Sequence, residues 1–160
     1  SLSSRLGQRI RTEEGRAYGV WSQYGFGPER GLFYAAAQTE GGQTKEVVEG
    51  VGEIIRKMTT NPEISDEELE RAKRAILSSF YFVYETPFGL VKDLAKFYLW
   101  GYPENYLETF QREVSSLTRE EIERVCREHL HPEGLKIVIV ADPAVLDGLK
   151  SLGKFKAVKR

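Results

Sequence analysis

The chain has 160 residues, 41% hydrophobic and 29% charged, enough for one soluble globular domain with a sizeable core. Its 23 basic and 24 acidic residues leave a net charge of -1, which removes any electrostatic case for nucleic acid or an anionic membrane. No apolar run approaches the roughly 20 residues of a membrane span, Ser1-Leu2-Ser3-Ser4-Arg5 lacks the layout of a signal peptide, and a single cysteine, Cys126, excludes an internal disulfide. The expectation is a soluble protein, cytoplasmic or periplasmic if bacterial, with the compartment left open.

Leu2, Leu6 and Ile10 recur every four residues and predict an amphipathic helix over about residues 2–13, stopped by Gly15. The stretch from Ala17 to Phe26 is aromatic and β-rich. Gly27-Pro28-Glu29-Arg30 supplies turn chemistry, so Gly31 to Thr39 reads as a second, antiparallel strand. Thr44 is placed to cap a helix whose stripe is Val47, Val48, Val51, Ile54, Ile55 and Met58, and Asn61-Pro62 ends it. Gly50 and Gly52 weaken that helix by roughly 1 kcal/mol each.

Ser65 with Glu68 fits a capping box opening a long helix to about Tyr84. Pro87 interrupts the pattern before a helix over about 88–100. Gly101-Tyr102-Pro103 turns the chain into a helical stretch over 104–114. Thr118 with Glu121 is a second capping box, and its helix ends near His129. Leu135 to Val140 is a continuous apolar run with the pattern of a strand buried on both faces. A short helix over 143–150 and a basic tail close the chain.

This order predicts an α+β fold: two layers, with a mostly antiparallel sheet covered on one face by helices. Three strands cover few helices, so residues 1–160 read as a single but incomplete domain. The expectation is that its sheet is completed by a strand this chain lacks.

The chemistry concentrates in Arg11-Thr12-Glu13-Glu14-Gly15-Arg16-Ala17-Tyr18. A guanidinium fork and a phenol, brought together across a helix end and a strand start, suit gripping a peptide carbonyl as negative charge develops on it. Nothing else in the chain resembles a complete active site. The competing structural readings are that Arg11 offsets the helix dipole or pairs with Glu13 or Glu14, and that Tyr18 is a cross-strand packing residue.

Ser3-Ser4-Arg5-Leu6, Ile10-Arg11-Thr12-Glu13 and Gly15-Arg16-Ala17-Tyr18 together resemble the pitrilysin/insulinase family of zinc metallopeptidases. That family includes mitochondrial processing peptidase and its relatives in respiratory complexes. Ser65-Asp66-Glu67-Glu68-Leu69-Glu70-Arg71-Ala72-Lys73 resembles its Ser-x-x-Glu-Leu-x-x-Ala-Lys segment. Thr118-Arg119-Glu120-Glu121-Ile122 and Leu135-Lys136-Ile137-Val138-Ile139-Val140 resemble its closing helix and last strand. The resemblance implies a processing-peptidase-type fold and the C-terminal, non-zinc domain of a peptidase, truncated at its N-terminus. It implies that Arg11 and Tyr18 bind substrate backbone and steady the oxyanion. Ala17 departs from the glycine often found directly before the tyrosine.

The family's zinc motif, His-x-x-Glu-His, is absent. The histidines are His129 and His131, and they fit a helix end and a loop better than a metal site. The resemblance therefore implies no cofactor on this chain and zinc in a separate catalytic domain or subunit. It implies a peptide substrate, inactivity of the isolated chain, and a homo- or heterodimer as one possible assembly. The rival expectation is a catalytically inert structural or assembly domain of the same fold. A third is an unrelated ligand-binding domain with a pocket lined by Phe80, Phe82 and Tyr84. Otherwise the dense cluster Phe80-Tyr81-Phe82-Val83-Tyr84 with Phe88 reads as core packing, and Cys126 as a small buried apolar residue.

Overall fold

The computed structural model describes residues 4–25, 27, 31–156 and 158. Leu2 of the predicted first helix, Phe26, the Pro28-Glu29-Arg30 part of the predicted turn, and Lys159 and Arg160 lie outside them. The protein is mostly helical, with one small antiparallel sheet. A π-helix, Gly7–Glu13, leads into strand β1, Gly19–Gly25, which pairs with β2, Leu32–Gln38, in the register Gly19↔Gln38 to Gly25↔Leu32. Helices α1 (Thr44–Thr60), α2 (Asp66–Val83), α3 (Pro87–Leu99), α4 (Tyr106–Ser116), α5 (Arg119–His129) and the single turn α6 (Leu146–Leu149) follow.

The core lies where the N-terminal elements meet. Leu6 and Ile10 from the first helix, Ala17 and Val20 around the start of β1, and Val47 and Ile54 from α1 are buried together. Ala35, Ala37 and Val51 pack against them. Burying each such aliphatic side chain contributes about 1.5–3 kcal/mol, so this cluster fixes the first helix, the hairpin and α1 as one unit. Gly50 lies in the same seam, where a Cβ would sit 3.7 Å from Ile10, an ordinary contact. At Gly52 the space is open.

Arg5 ties this unit to the next. Its guanidinium donates to both Glu68 oxygens at 2.7 Å and to the Glu63 carbonyl oxygen at 3.2 Å, and it approaches the Met58 sulfur. Glu63, held in this bend, has a left-handed φ of 45°.

Side-chain caps account for three of the six α-helix starts among the described residues, those of α2, α3 and α5. Ser65 Oγ accepts from the Glu68 N–H, but the Glu68 carboxylate turns to Arg5, so only half of the expected capping box forms. Thr118 and Glu121 form the whole box: the Thr118 N–H donates to Glu121 Oε2 at 2.8 Å and the Glu121 N–H to Thr118 Oγ1 at 3.2 Å. Pro87 opens α3 at its first turn, capped by Thr86. Thr44 does not cap α1. It is the first helical residue, because a 3₁₀ turn over Gly41–Gln43 feeds directly into the helix.

The α+β class stands, but the sheet differs from expectation. Leu135 to Val140 is not a strand buried on both faces. It lies outside any helix or strand, with Val138 88% and Val140 92% exposed. Apolar, β-branched composition favours an extended conformation, but a strand requires a neighbour's backbone to pair with. Among the described residues none takes that place.

Candidate functional site

The first helix is wider than an α-helix. The Glu14 N–H donates to the Arg9 carbonyl, five residues back, at 3.0 Å, and the Arg16 N–H to that of Ile10, six back, at 2.9 Å. Widened turns of this kind are rare and recur at functional sites. Gly15, at φ 62°, ends the helix in the left-handed conformation that glycine adopts without steric cost. The chain then runs into the sheet. The Tyr18 N–H donates to the Gln38 carbonyl at 2.8 Å, and the Thr39 hydroxyl donates to the Arg16 carbonyl. Ala17 fills the position where a glycine resemblance breaks down, and its methyl group is buried in the core cluster. The loop between Arg11 and Tyr18 is thus held at both ends and in its middle.

Arg11 and Tyr18 share one exposed surface. The Arg11 guanidinium carbon lies over the Tyr18 ring, 5.9 Å from its centroid, and the tyrosine is 82% exposed. This is within cation–π range. Neighbouring arginines behave differently. Arg9 pairs with Glu14 at 2.9 Å and Glu53 at 2.6 Å, and Arg16 with Glu14 at 3.4 Å. Among the described residues no carboxylate pairs with Arg11, so Glu14 goes to its neighbours instead. The hydrogen bonds that Arg9 donates to Glu53 and Glu14 raise its guanidinium above its ordinary value, and the bond from Arg9 lowers the Glu53 carboxyl.

The result is a planar five-donor fork, oriented by a ring face, beside a phenolic O–H. Such a pair can donate hydrogen bonds to a carbonyl oxygen. By itself it cannot supply a nucleophile or activate water.

Other candidates do not add a catalytic group. Burial pushes the Cys126 thiol up from its ordinary value, away from the thiolate a nucleophile needs. His129 ends α5, His131 follows in the loop, and both are exposed. Among the described residues no three His, Cys, Asp or Glu side chains gather as a metal site.

A groove of about 240 Å³ lies between α2, α3 and α4, lined by rings including Phe80, Tyr84, Phe97, Tyr106 and Phe110. Phe80 stacks on Phe110 at 5.4 Å and meets Tyr84 edge-on at 4.7 Å, whereas Phe82, expected in such a lining, is 76% exposed. The expected aromatic core is therefore split, with Tyr81, Phe82 and Phe88 facing outward. Inside the groove, Tyr84 donates to Asp93 at 3.2 Å and Lys96 donates to Asp93 at 2.9 Å. Burial and then the Asp93 carboxylate push the Tyr84 phenol up to about 12. Burial is the largest single influence on Asp93 and would raise its pKa, but the hydrogen bond and charge of Lys96 together with the Tyr84 hydrogen bond and the Lys92 charge outweigh it, and the net shift is downward. Neither this polar chain nor the Arg5–Glu68 clamp was legible from residue spacing. Each depends on which helices pack together.

Residues 1–76 match the family model described as the peptidase M16 inactive domain. The chain is 28% identical over 141 residues to the non-peptidase homolog YmxG of Helicobacter pylori, spanning 88% of this chain and 32% of that protein. A solved peptidase M16 inactive domain from Pseudomonas fluorescens superposes with a TM-score of 0.67 at 26% identity, covering 82% of this chain and 31% of the other. The inactive peptidase domain of a candidate zinc protease from Bordetella parapertussis has the same fold, with a TM-score of 0.70 at 20% identity. That match covers 80% of this chain and 67% of the other.

The fold is therefore similar to that of solved peptidase M16 inactive domains, and residues 1–76 match the model of such domains, in agreement with the resemblance to the pitrilysin/insulinase family. The chain spans about a third of the curated relative it matches. No helix among the described residues is long and apolar enough to cross a membrane.

Proposed function

We propose that this chain is the non-zinc domain of a zinc-dependent peptidase, and that Arg11 and Tyr18 are its contribution to peptide hydrolysis. The observation that carries this is the Arg11 guanidinium, paired with no carboxylate among the described residues, held over an exposed tyrosine. A structural arginine in this corner would pair as Arg9 and Arg16 do.

In this reading Arg11 grips the backbone carbonyl of a bound peptide, and the Tyr18 hydroxyl donates to the same oxygen as its charge grows. A donor of this kind is worth about 3–4 kcal/mol where developing oxyanions have been probed. The zinc belongs to a partner domain or subunit, where such an ion supplies a Lewis acid and an activated water. This chain holds the substrate against that site and hydrolyses nothing alone. Its partners are then the zinc-bearing domain or subunit and an extended peptide, and the pairing could be homo- or heterodimeric. The reading also takes residues 1–160 as part of a larger two-layer domain, with the helices on one face of a fuller sheet.

The test is reconstitution with the zinc-bearing counterpart. The chain alone should show no peptide turnover, the mixture should, and Tyr18→Phe should lower kcat with little change in KM. Equal turnover with Tyr18→Phe and with Arg11→Ala would remove the chemical role.

A second reading has support of its own: the similar H. pylori protein is described as a non-peptidase homolog. The domain would then be an inert assembly module, and both variants would assemble and perform as wild type.

A further inference from the structure

Strand β1 turns its two faces to different surroundings. Val20 is buried in the core, with Ala35 and Ala37 of β2 packed against the same cluster. Successive side chains of a strand point to opposite faces. Gly19, Trp21 and Gln23 therefore lie on the other face, opposite Gln38, Ala36 and Tyr34 in the register. Trp21 and Tyr34 are 37% and 40% exposed there. Among the described residues no second ring stacks on Trp21, and its cross-strand partner, Ala36, offers only a methyl group. The indole lies back along the strand: a Cβ at Gly19 would sit 3.7 Å from Trp21 Cζ3 and 3.8 Å from Gln38 Oε1. Ring and amide thus flank one bare stretch of backbone, at the residue that follows Tyr18. Tyr18 itself sits in the bend before the strand, so the strand's alternation begins after it. The Gln38 carbonyl accepts from the Tyr18 N–H at 2.8 Å, but among the described residues no hydrogen bond holds the Gln38 side-chain amide. At the far end the Tyr34 hydroxyl donates to Gln23 Oε1 at 2.9 Å and closes the ledge.

The geometry points to a side-chain subsite. The ledge of Gly19, Trp21 and Gln38 selects an aromatic residue in the bound peptide, next to the carbonyl that Arg11 grips or one position beyond it. Three features name this occupant. Gly19 directly follows Tyr18, so an extended peptide held at Tyr18 reaches the indole within one or two residues, at about 3.3 Å per residue. The recognition surface is one flat ring with small neighbours, and a ring takes another ring in offset or edge-on contact. The polar groups of the ledge are the neutral amides of Gln38 and Gln23 and the phenol of Tyr34. A charged substrate side chain would lose hydration there and gain no counter-charge. This rests on the proposed role of the domain in holding a peptide, but not on the chemistry assigned to the Tyr18 hydroxyl.

The test compares peptides that differ only in phenylalanine, alanine or aspartate at that position, in the complex reconstituted with the zinc-bearing counterpart. Wild type should turn over the phenylalanine peptide with a kcat/KM about 10-fold or more above the alanine peptide. Trp21→Ala should erase the preference by lowering kcat/KM for the phenylalanine peptide alone, and Trp21→Phe should restore part of it. Gly19→Val, which crowds the indole off the backbone, should weaken the preference with Trp21 still in place. A second readout needs no turnover. The chain has two tryptophans, Trp21 and Trp100. With fluorotryptophan at both, the fluorine NMR signal of Trp21, assigned by its loss in Trp21→Phe, should shift when the phenylalanine peptide is added, and that of Trp100 should not. An equal fall for both peptides in Trp21→Ala, a preference for aspartate, or an unmoved Trp21 signal would overturn the proposal. Wild-type turnover in Arg11→Ala and Tyr18→Phe with the preference intact would sink the catalytic reading and leave the subsite standing. Lowered turnover of every peptide in Tyr18→Phe, with no preference in wild type, would do the reverse.

Discussion

The N-terminal corner and the run from Leu135 to Val140 are similar in apolar content and opposite in outcome. In the corner, Ile10 is fully buried and Leu6, Val20 and Val47 are under 9% exposed, because a helix, a hairpin and α1 converge within about fifty residues. In the run, Val138 and Val140 face water. Hydrophobicity sets what a segment gains by burial, but whether burial happens depends on a neighbour being present. The corner carries its neighbours in adjacent sequence, and the run does not.

The largest effect should come from the corner. Ile10→Ala should cost about 2–5 kcal/mol, the range for truncating a buried aliphatic side chain, read as a drop in the denaturant midpoint. A cost under 1 kcal/mol would break the contrast. Gly52→Ala should stabilise α1 by about 1 kcal/mol, since it lies mid-helix with no atom near its Cβ position. In the 160-residue chain, Val138→Ser should change stability by no more than about 0.5 kcal/mol, as for other exposed sites. In a longer polypeptide that covers the run, the same substitution should cost several times more.

The smallest effect sharpens the comparison in the helical half. Tyr84 keeps its proton in the fold up to about 12, whereas a free phenol loses it near 10. The native state therefore binds more protons in that window. The contribution is complete below pH about 10 and is lost as pH rises toward 12. Tyrosinate absorbance should show one late-titrating phenol, absent in Tyr84→Phe. Asp93→Asn should bring it only part of the way down, because burial is the larger cause.

What was legible in the sequence was what local chemistry decides. Ser65, Thr118 and Pro87 marked helix starts, and Gly15 and Asn61-Pro62 marked ends. The proximity of Arg11 and Tyr18 was also legible, since one short loop joins them. The widening of the first helix was not legible, because the four-residue spacing of Leu6 and Ile10 fits an ordinary α-helix equally well. Partners distant in sequence were not legible. Arg5 and Glu68 are 63 residues apart, and the box that Glu68 fits by spacing is overruled by that ion pair. The run at 135–140 was misjudged for the same reason, because its composition speaks for a strand while pairing is decided elsewhere.

The central proposal, that the Arg11 guanidinium, which pairs with no carboxylate among the described residues, acts on substrate, is tested by replacing two neighbouring arginines in the complex reconstituted with a zinc-bearing counterpart. Arg9→Ala, which breaks pairs to Glu14 and Glu53, should lower the unfolding midpoint and leave kcat/KM per folded molecule near wild type. Arg11→Ala should leave the midpoint in place and lower kcat/KM about 100- to 1000-fold. A wild-type kcat/KM in Arg11→Ala, or a midpoint that falls as far as in Arg9→Ala, would contradict the account.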